Sequence, residues 1–186
     1  VTTLEKVNTI ADGTAVKTPG TDIFPYLKEN LDDIITVGDE ELVVSFLDMV
    51  ENHKMVVENS GLLTVAALKH LDVKNKKVVA ILSGGNMDVI TMSSVVQQGL
   101  VLRDRIFSVS VLLPDKPGEL SRVADVIAKQ NGNVIKLEHN QFVSINRNAE
   151  VELRITMEAF GTEHKNQIIS SLQQNGYQPK LIRASI

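Results

Sequence analysis

The sequence contains no cysteine, which removes several kinds of chemistry at once. Without cysteine the chain cannot form disulfides, use a thiolate nucleophile or hold zinc through sulfur. The four histidines (His53, His70, His139 and His164) are scattered along the chain without the spacing of a metal site. We therefore expect neither a metal centre nor redox-active sulfur.

Long apolar runs and an excess of positive charge are also missing. No run approaches the roughly 20 apolar residues that span a bilayer, and no signal peptide is visible. The net charge is −4 and the pI is about 5.6, so there is no basic footprint for nucleic acid. These features predict a globular, cytoplasmic protein without a membrane or nucleic-acid partner.

Residues 1–104 alternate between short apolar runs and helical patterns. The runs "DDIITV" (32–37) and "KVVAIL" (77–82) are rich in valine and isoleucine, which predicts two buried parallel strands. Strands separated by helices indicate an α/β layer. Three helices are predicted around these strands, starting at Asp39, at about Ser60 and at about Val89.

Residues 105–186 have a different texture, and we place a domain boundary near residue 104. "IFSVSVLL" and "EVELRITM" alternate between apolar and polar residues, as half-buried antiparallel strands do. "QNGNVIKL" (130–137) recurs as "QNGYQPKL" (174–181), and each copy follows an amphipathic helix. The order is therefore strand-helix-strand twice, βαββαβ, which is the α+β ferredoxin-like plan.

The stretch "LPDKPGEL" (113–120) would by itself be a strand-to-helix turn. Together with the flanking strand and helix, "NGNVIKLE" and the βαββαβ order, it resembles an ACT domain, a small regulatory module that binds amino acids. The resemblance spans residues 105–186. It implies an effector site at Asp115, Lys116, Gly118 and Asn133. An amino-acid carboxylate suits helix N-terminal N–H groups, and Asp115 could accept from its ammonium group.

The turn Ser83-Gly84-Gly85-Asn86 follows the second predicted strand and precedes a helix. Alone it is a weak signal, and it fits neither G-x-G-x-x-G nor the P-loop. In order, "ADGTAVKTPG" (11–20), "DDIITVGDEEL" (32–42), "VVENSGLLTVAAL" (56–68) and "VVAILSGGNMD" (78–88) before an ACT-like module resemble threonine dehydratase. That family uses pyridoxal phosphate (PLP) and has a three-layer tryptophan-synthase-β-like fold, which residues 1–104 would partly form.

The resemblance assigns cofactor-binding roles in this part of the chain. It places the Ser83 hydroxyl on the pyridine nitrogen of PLP, Glu58 beside the ring and Gly13 in a backbone segment near the pocket. Gly84 lets the backbone approach the flat ring, and Asn86 fixes the turn. A neutral hydroxyl makes the ring a weaker electron sink than a carboxylate would, which suits β-elimination. Glu58 has a plainer reading as an acidic residue near a helix start.

Two parts of the expected chemistry are missing from the sequence. The family needs a lysine that forms a Schiff base with PLP and a glycine-rich loop that cradles its phosphate. No lysine here lies in a Ser-Phe-Lys-like stretch. We therefore expect a piece of a longer polypeptide, inactive alone, from an enzyme that converts L-threonine to 2-oxobutanoate and ammonia.

Two alternatives stay open at this point. The chain could be a non-catalytic amino-acid sensor, or it could come from a related serine dehydratase or racemase. In each case the effector could be an amino acid or a nucleotide. An open four-stranded sheet leaves edges that favour pairing, so we expect a homo-oligomer through paired ACT modules. Residues 1–104 should expose apolar surface if they normally pack on another segment.

Overall fold

The computed structural model describes residues 2–140 and 150–184. The chain divides into two compact units, of which the first extends to Gly99 and the second starts at Leu100. The sequence placed this boundary near residue 104. No helix among the described residues is both long and apolar enough to cross a membrane.

The first unit is built from helices and short helical turns. Its α-helices are α1 (Phe24–Asn30), α2 (Asp39–Asp48), α3 (Leu63–Ala67) and most of α4 (Val89–Leu102), whose last three residues belong to the second unit. Its 3₁₀ turns are Asp12–Thr14, Asn59–Leu62 and Leu68–His70. Helix α2 continues as a π-helical turn, Met49–His53, and the chain then leaves the helix at Lys54 with φ of 58°.

Helix α2 presents the apolar face that its sequence predicts. Leu42, Val43, Phe46 and Leu47 recur at helical spacing, and each is at most 2% exposed. The helix predicted from about Ser60 is instead divided into a 3₁₀ turn, α3 and a second 3₁₀ turn. Helical spacing from Leu63 predicts that Leu71 faces inward, but Leu71 is 44% exposed, because the chain has already left the helix at that position.

The two predicted parallel strands are not formed. Neither 32–37 nor 77–82 is a strand, and Ile34, Val79 and Ile81 are 77%, 89% and 71% exposed. A strand exists only through hydrogen bonds to a neighbouring strand, and the described residues provide no such neighbour for either segment. The prediction that these two segments form buried strands is therefore wrong for this chain.

After the end of α4, the described residues of the second unit form six helices and strands. They are β1 (Ile106–Pro114), α5 (Glu119–Lys129), β2 (Asn133–Asn140), β3 (Glu150–Glu158), α6 (Thr162–Gln174) and β4 (Lys180–Ile182). The sheet order is β2-β3-β1-β4, and every pairing is antiparallel. β1 pairs with β3 from Ile106↔Glu158 to Pro114↔Glu150. The element order is strand-helix-strand twice, the order that the repeated "QNG" stretches predict.

The core of the second unit lies between the sheet and its two helices. The sheet contributes Val109, Val111, Leu153 and Met157, and the helices contribute Val123, Ile168 and Leu172, all 0% exposed. Burying each side chain contributes about 1.5–3 kcal/mol. The apolar spacing of α5 predicts that Leu120 faces inward with Val123 and Ile127. It is instead 41% exposed, because it lies in the first turn of α5 and borders a cavity.

The repeated Asn-Gly pair ends the two helices in different ways. After α5 the left-handed residue is Asn131, with φ of 59°, whereas after α6 it is Gly176, with φ of 87°. Gly132 is needed for another reason, because a Cβ there would lie 2.7 Å from Ile127 Cγ2. The repeat therefore marks two helix ends, but each end uses its glycine differently.

Candidate functional site

Glu58 is the centre of the candidate site in the first unit. It lies just before the 3₁₀ turn Asn59–Leu62. Its backbone N–H donates to the Gly84 carbonyl oxygen (3.4 Å), and its Oε2 accepts from the Asn86 backbone N–H (3.0 Å). The structure thus brings Glu58 together with the turn of residues 83–86, although 28 positions separate Glu58 from Asn86.

The turn at residues 83–86 is shaped around this carboxylate. Gly84 has φ of 84°, and a Cβ there would lie 2.6 Å from Glu58 Cδ. Ser83 is exposed, while its carbonyl oxygen packs on Gly61, where a Cβ would lie only 2.2 Å away. Gly61 is therefore required by its close approach to the Ser83 backbone. Gly84 is favoured by its left-handed conformation, and a side chain there would displace the Glu58 carboxylate.

A third segment, residues 9–13, completes the site. A Cβ on Gly13 would lie 2.9 Å from Ser60 Oγ and 3.7 Å from Glu58 Oε1. Asn59 Nδ2 donates to the Ile10 carbonyl oxygen (3.1 Å) and holds this segment in place. The Gly13 backbone is therefore a wall of the same site.

Asp39 also holds residues 9–13. Its Oδ1 accepts from Thr9 Oγ1 (2.5 Å) and its Oδ2 from the Ile10 N–H (3.3 Å). Residue Gly38 precedes α2, and its N–H donates to Glu41 Oε2 (2.9 Å). The acidic residues at the start of α2 thus have two roles. Glu41 accepts a backbone hydrogen bond from Gly38 at the helix end, whereas Asp39 binds residues 9 and 10.

Two buried polar atoms beside Glu58 have no partner among the described residues, Asn59 Oδ1 and Ser60 Oγ. Leaving a buried polar group unpaired costs about 1–3 kcal/mol, so such groups are uncommon. Of these two residues, Asn59 lines a cavity of about 360 Å³, whose lining also includes Asp12, Glu58, Asn86 and Asp88. The lining carries three carboxylates and neither lysine nor arginine, so the cavity is acidic.

Asp88 lines this cavity and immediately precedes α4. Its Oδ1 accepts from the N–H groups of Ile90 and Thr91 (2.9 Å each), and its Oδ2 accepts from Thr91 Oγ1 (2.5 Å). The Thr91 hydroxyl and then these N–H groups lower the pKa of Asp88. The carboxylate therefore stays ionised and caps the helix.

Sequence reasoning missed three residues that build this site. Asn59 and Gly61 lie in the quoted "ENSG" stretch, and their closeness to Glu58 was the signal that could have found them. Asp39 was read only as a residue of a helix start. Its side chain instead reaches 30 positions back along the chain, and no local pattern predicts that.

The second unit contains a separate candidate site. A cavity of about 340 Å³ is lined by Asp115, Lys116 and Gly118 of the strand-to-helix loop, together with Leu120 and His139. Gly118 has φ of 92° and precedes the first residue of α5. The register places His139 opposite Leu153, so the sheet supplies the far wall of this cavity.

Asn133 does not join these residues. Its Nδ2 donates to Glu158 Oε2 (2.7 Å), and it pairs with the end of β3 that lies opposite Ile106. The loop at Asp115 follows the other end of β1. At about 3.4 Å per residue, the eight steps along β1 separate the two ends by roughly 27 Å.

Residues 1–84 match the family described as pyridoxal-phosphate dependent enzyme. These residues belong to that family. The chain is 38% identical over 171 residues to the L-threonine ammonia-lyase of Geobacter sulfurreducens. The aligned region covers 91% of this chain and 42% of that relative. It is 33% identical over 175 residues to the L-threonine ammonia-lyase of Thermotoga maritima. This aligned region covers 94% of this chain and 44% of that relative.

The chain therefore spans less than half the length of these two relatives. Among solved structures, the processed form of threonine deaminase isoform 2 from Solanum lycopersicum is 29% identical, with a TM-score of 0.48. The likeness covers 52% of this chain and 29% of that one.

Proposed function

We propose that this chain is the carboxyl-terminal part of a PLP-dependent threonine ammonia-lyase, with an amino-acid-binding ACT module at its end. The intact enzyme would convert L-threonine to 2-oxobutanoate and ammonia. The observation that carries the proposal is the convergence of Glu58, Gly84, Asn86 and Gly13 in a chain related over 91% of its length to an L-threonine ammonia-lyase.

The residues present fit the ring end of the cofactor. A flat pyridine ring suits walls of glycine backbone, which a ligand can approach closely. Gly84 and Gly13 provide such backbone beside Glu58 and Ser60, and their Cβ directions are taken by those two side chains. Ser83 is exposed at the head of the same turn and offers a hydroxyl to a ring nitrogen. These three residues would hold the ring, and Glu58 would lie beside it.

PLP, when bound, draws electron density from the substrate Cα and so allows the β-hydroxyl to leave. The chain's own residues orient the ring. The Ser83 hydroxyl donates or accepts one hydrogen bond without holding a fixed charge at the nitrogen. Glu58 holds the turn through the Asn86 N–H, so the position of the hydroxyl depends on that carboxylate.

This chain alone should not bind PLP covalently, because none of its lysines lies in the stretch that the family uses. Titration of the chain with PLP should give no saturable visible absorbance band. Borohydride treatment followed by peptide mass spectrometry should find no single modified lysine. A saturable band trapped at one lysine would overturn this part of the proposal.

The second unit supplies the regulatory part of the proposal. Its element order, its sheet order β2-β3-β1-β4 and the cavity at the Asp115 loop support an ACT module of ferredoxin-like plan. An amino-acid effector would direct its carboxylate to the N-terminal N–H groups of α5 and its ammonium group to Asp115. Leu120 and His139 would contact its side chain.

Isothermal titration with isoleucine, valine, threonine and AMP tests the module. Because a charge-assisted hydrogen bond contributes about 1.5–3 kcal/mol, Asp115→Asn should weaken amino-acid binding by roughly tenfold or more. Asp125→Asn, on the exposed side of α5, is the matched control. Asn133 lies far from this cavity within one chain, so it could contact the effector only from a second, paired module. Weaker effector binding by Asn133→Ala would therefore indicate that a paired module contributes to the site. Absence of heat with all four compounds would contradict the module's role.

A non-catalytic amino-acid sensor is the second candidate. The observation in its favour is that the effector cavity is built wholly from the second unit. Under this reading the titrations give amino-acid binding, while mixing the chain with the amino-terminal part of a related lyase restores no deamination of threonine or serine. Restored deamination would favour the lyase.

A further inference from the structure

The segments of the candidate site meet at one short element, the 3₁₀ turn Asn59–Leu62. We propose that this turn is the positioning element of the site, with Asn59 setting the place of the Gly13 segment and Gly61 setting the place of Ser83. The inference rests on the function proposed above, because these two segments are the ones that would border PLP. The turn itself is anchored by Leu62, which is 0% exposed in the core.

Asn59 acts on the Gly13 segment. The side chain is only 5% exposed, and its Nδ2 donates to the Ile10 carbonyl oxygen across 49 positions of sequence. The next residue, Ala11, is 2% exposed, and its N–H donates to Thr9 Oγ1 (3.1 Å). Only Asn59 links this segment directly to the Glu58 stretch through a side-chain hydrogen bond among the described residues, so its loss should free residues 9–13 on that side.

Gly61 sets the position of Ser83 by close packing against its carbonyl group. A Cβ at position 61 would lie 2.2 Å from the Ser83 carbonyl oxygen and 3.1 Å from its carbonyl carbon. Both are backbone atoms, which cannot turn aside as the end of a flexible side chain can. The backbone of Gly61 is not left-handed, so the requirement for glycine here is purely one of room. Any side chain at this position pushes the turn of residues 83–86 away.

The two contacts act on different segments, and this separates positioning from general stabilisation. Loss of the Asn59 amide should move residues 9–13 and leave residues 83–86 in place. A methyl group on Gly61 should do the reverse. A turn that only stabilised the unit would loosen both segments together, along with α2 and the rest of the core.

Backbone amide NMR of the whole 20.4 kDa chain tests this with four variants. Asn59→Asp should shift the amide signals of Ile10, Ala11 and Gly13, and Gly61→Ala should shift those of Gly84 and Asn86. The controls change the same chemistry elsewhere. Asn30→Asp removes an exposed hydrogen bond from the Asn30 side-chain amide to the Tyr26 carbonyl oxygen (2.8 Å). Gly20→Ala adds a methyl group where no atom of the described residues beyond its chain neighbours lies within 4 Å. Neither control should shift either set.

The inference is overturned if either variant leaves its own segment unshifted, or shifts both segments together with the amides of α2. Where Asn59→Asp does not fold, Asn59→Ser removes the amide without adding charge and faces the same criterion. A separate experiment, mixing the unsubstituted chain with the amino-terminal part of a related lyase, tests the proposed function. Lack of restored deamination of threonine or serine would count against that function, yet it would leave the positioning result standing.

Discussion

At the scale of single residues, Glu58 shows how one side chain can organise a turn that lies far along the sequence. Its carboxylate receives the Asn86 N–H and fills the space beside Gly84. A side chain at position 84 would have to displace that carboxylate. The glycine and the acid therefore depend on each other, and neither would be understood from its own sequence neighbourhood.

Gly84→Ala should lower the free energy of unfolding by about 1–3 kcal/mol, since it combines a left-handed φ with a clash. The displaced Glu58 side chain would also lose its bond to Asn86. Urea denaturation followed by circular dichroism measures the change. Gly85→Ala is the matched control, because the nearest atom to a Cβ there is the Val56 carbonyl oxygen at 3.4 Å. An equal loss in both variants would contradict the interpretation.

At the scale of elements, α4 depends on Asp88 at its start. The bonds from Thr91 and Ile90 lower the pKa of this carboxyl in the folded state, while the unfolded chain keeps a value near 3.9. The folded state is thus favoured by the ionised form. This stabilisation is fully present above the unfolded pKa and is lost as pH falls through the lowered folded pKa.

Asp88→Asn should therefore be less stable than the unsubstituted chain at neutral pH, and the difference should shrink on acidification. Thermal unfolding of both proteins across a pH series measures this convergence. Asp22→Asn, an exposed position outside the helices, should show no such pH-dependent difference. A gap between the two proteins that stayed constant into strong acid would mean that charge is not the cause.

At the scale of the whole molecule, the first unit carries an apolar surface without a partner among the described residues. Val79 and Ile81 are 89% and 71% exposed, and Tyr26 of α1 is 67% exposed. A contiguous exposed apolar patch marks an interaction site, and we expect these side chains to contribute to one. In the second unit, by contrast, the sheet and its helices bury a continuous core.

The chain should therefore bind the dye ANS, and replacing both Val79 and Ile81 by threonine should reduce its fluorescence. Leu181→Thr, which changes an exposed leucine (59%) in the second unit, is the control and should have the smaller effect. Fluorescence at equal protein concentration is the measurement. No reduction in the double variant would place the dye-binding surface elsewhere.

The edge strand β2 leads to a prediction about assembly. Its side chains are mostly exposed, and an edge strand offers unpaired backbone groups to another copy. We expect a homodimer through the second unit, measured by sedimentation velocity at micromolar concentration. A clean monomer across the concentration series would contradict this expectation.

The sequence by itself determined the local patterns. The apolar spacing of α2, the alternation in β1 and β3 and the Asn-Gly helix ends follow from side-chain periodicity and backbone preference, which act over a few residues. The tertiary structure alone decided whether 32–37 and 77–82 become strands, because a strand needs a partner that its own residues cannot supply. It also decided that Asp39, Asn59 and Gly61 build the candidate site and that Asn133 lies away from the Asp115 loop. Those placements depend on distances between remote segments, which only the folded chain sets.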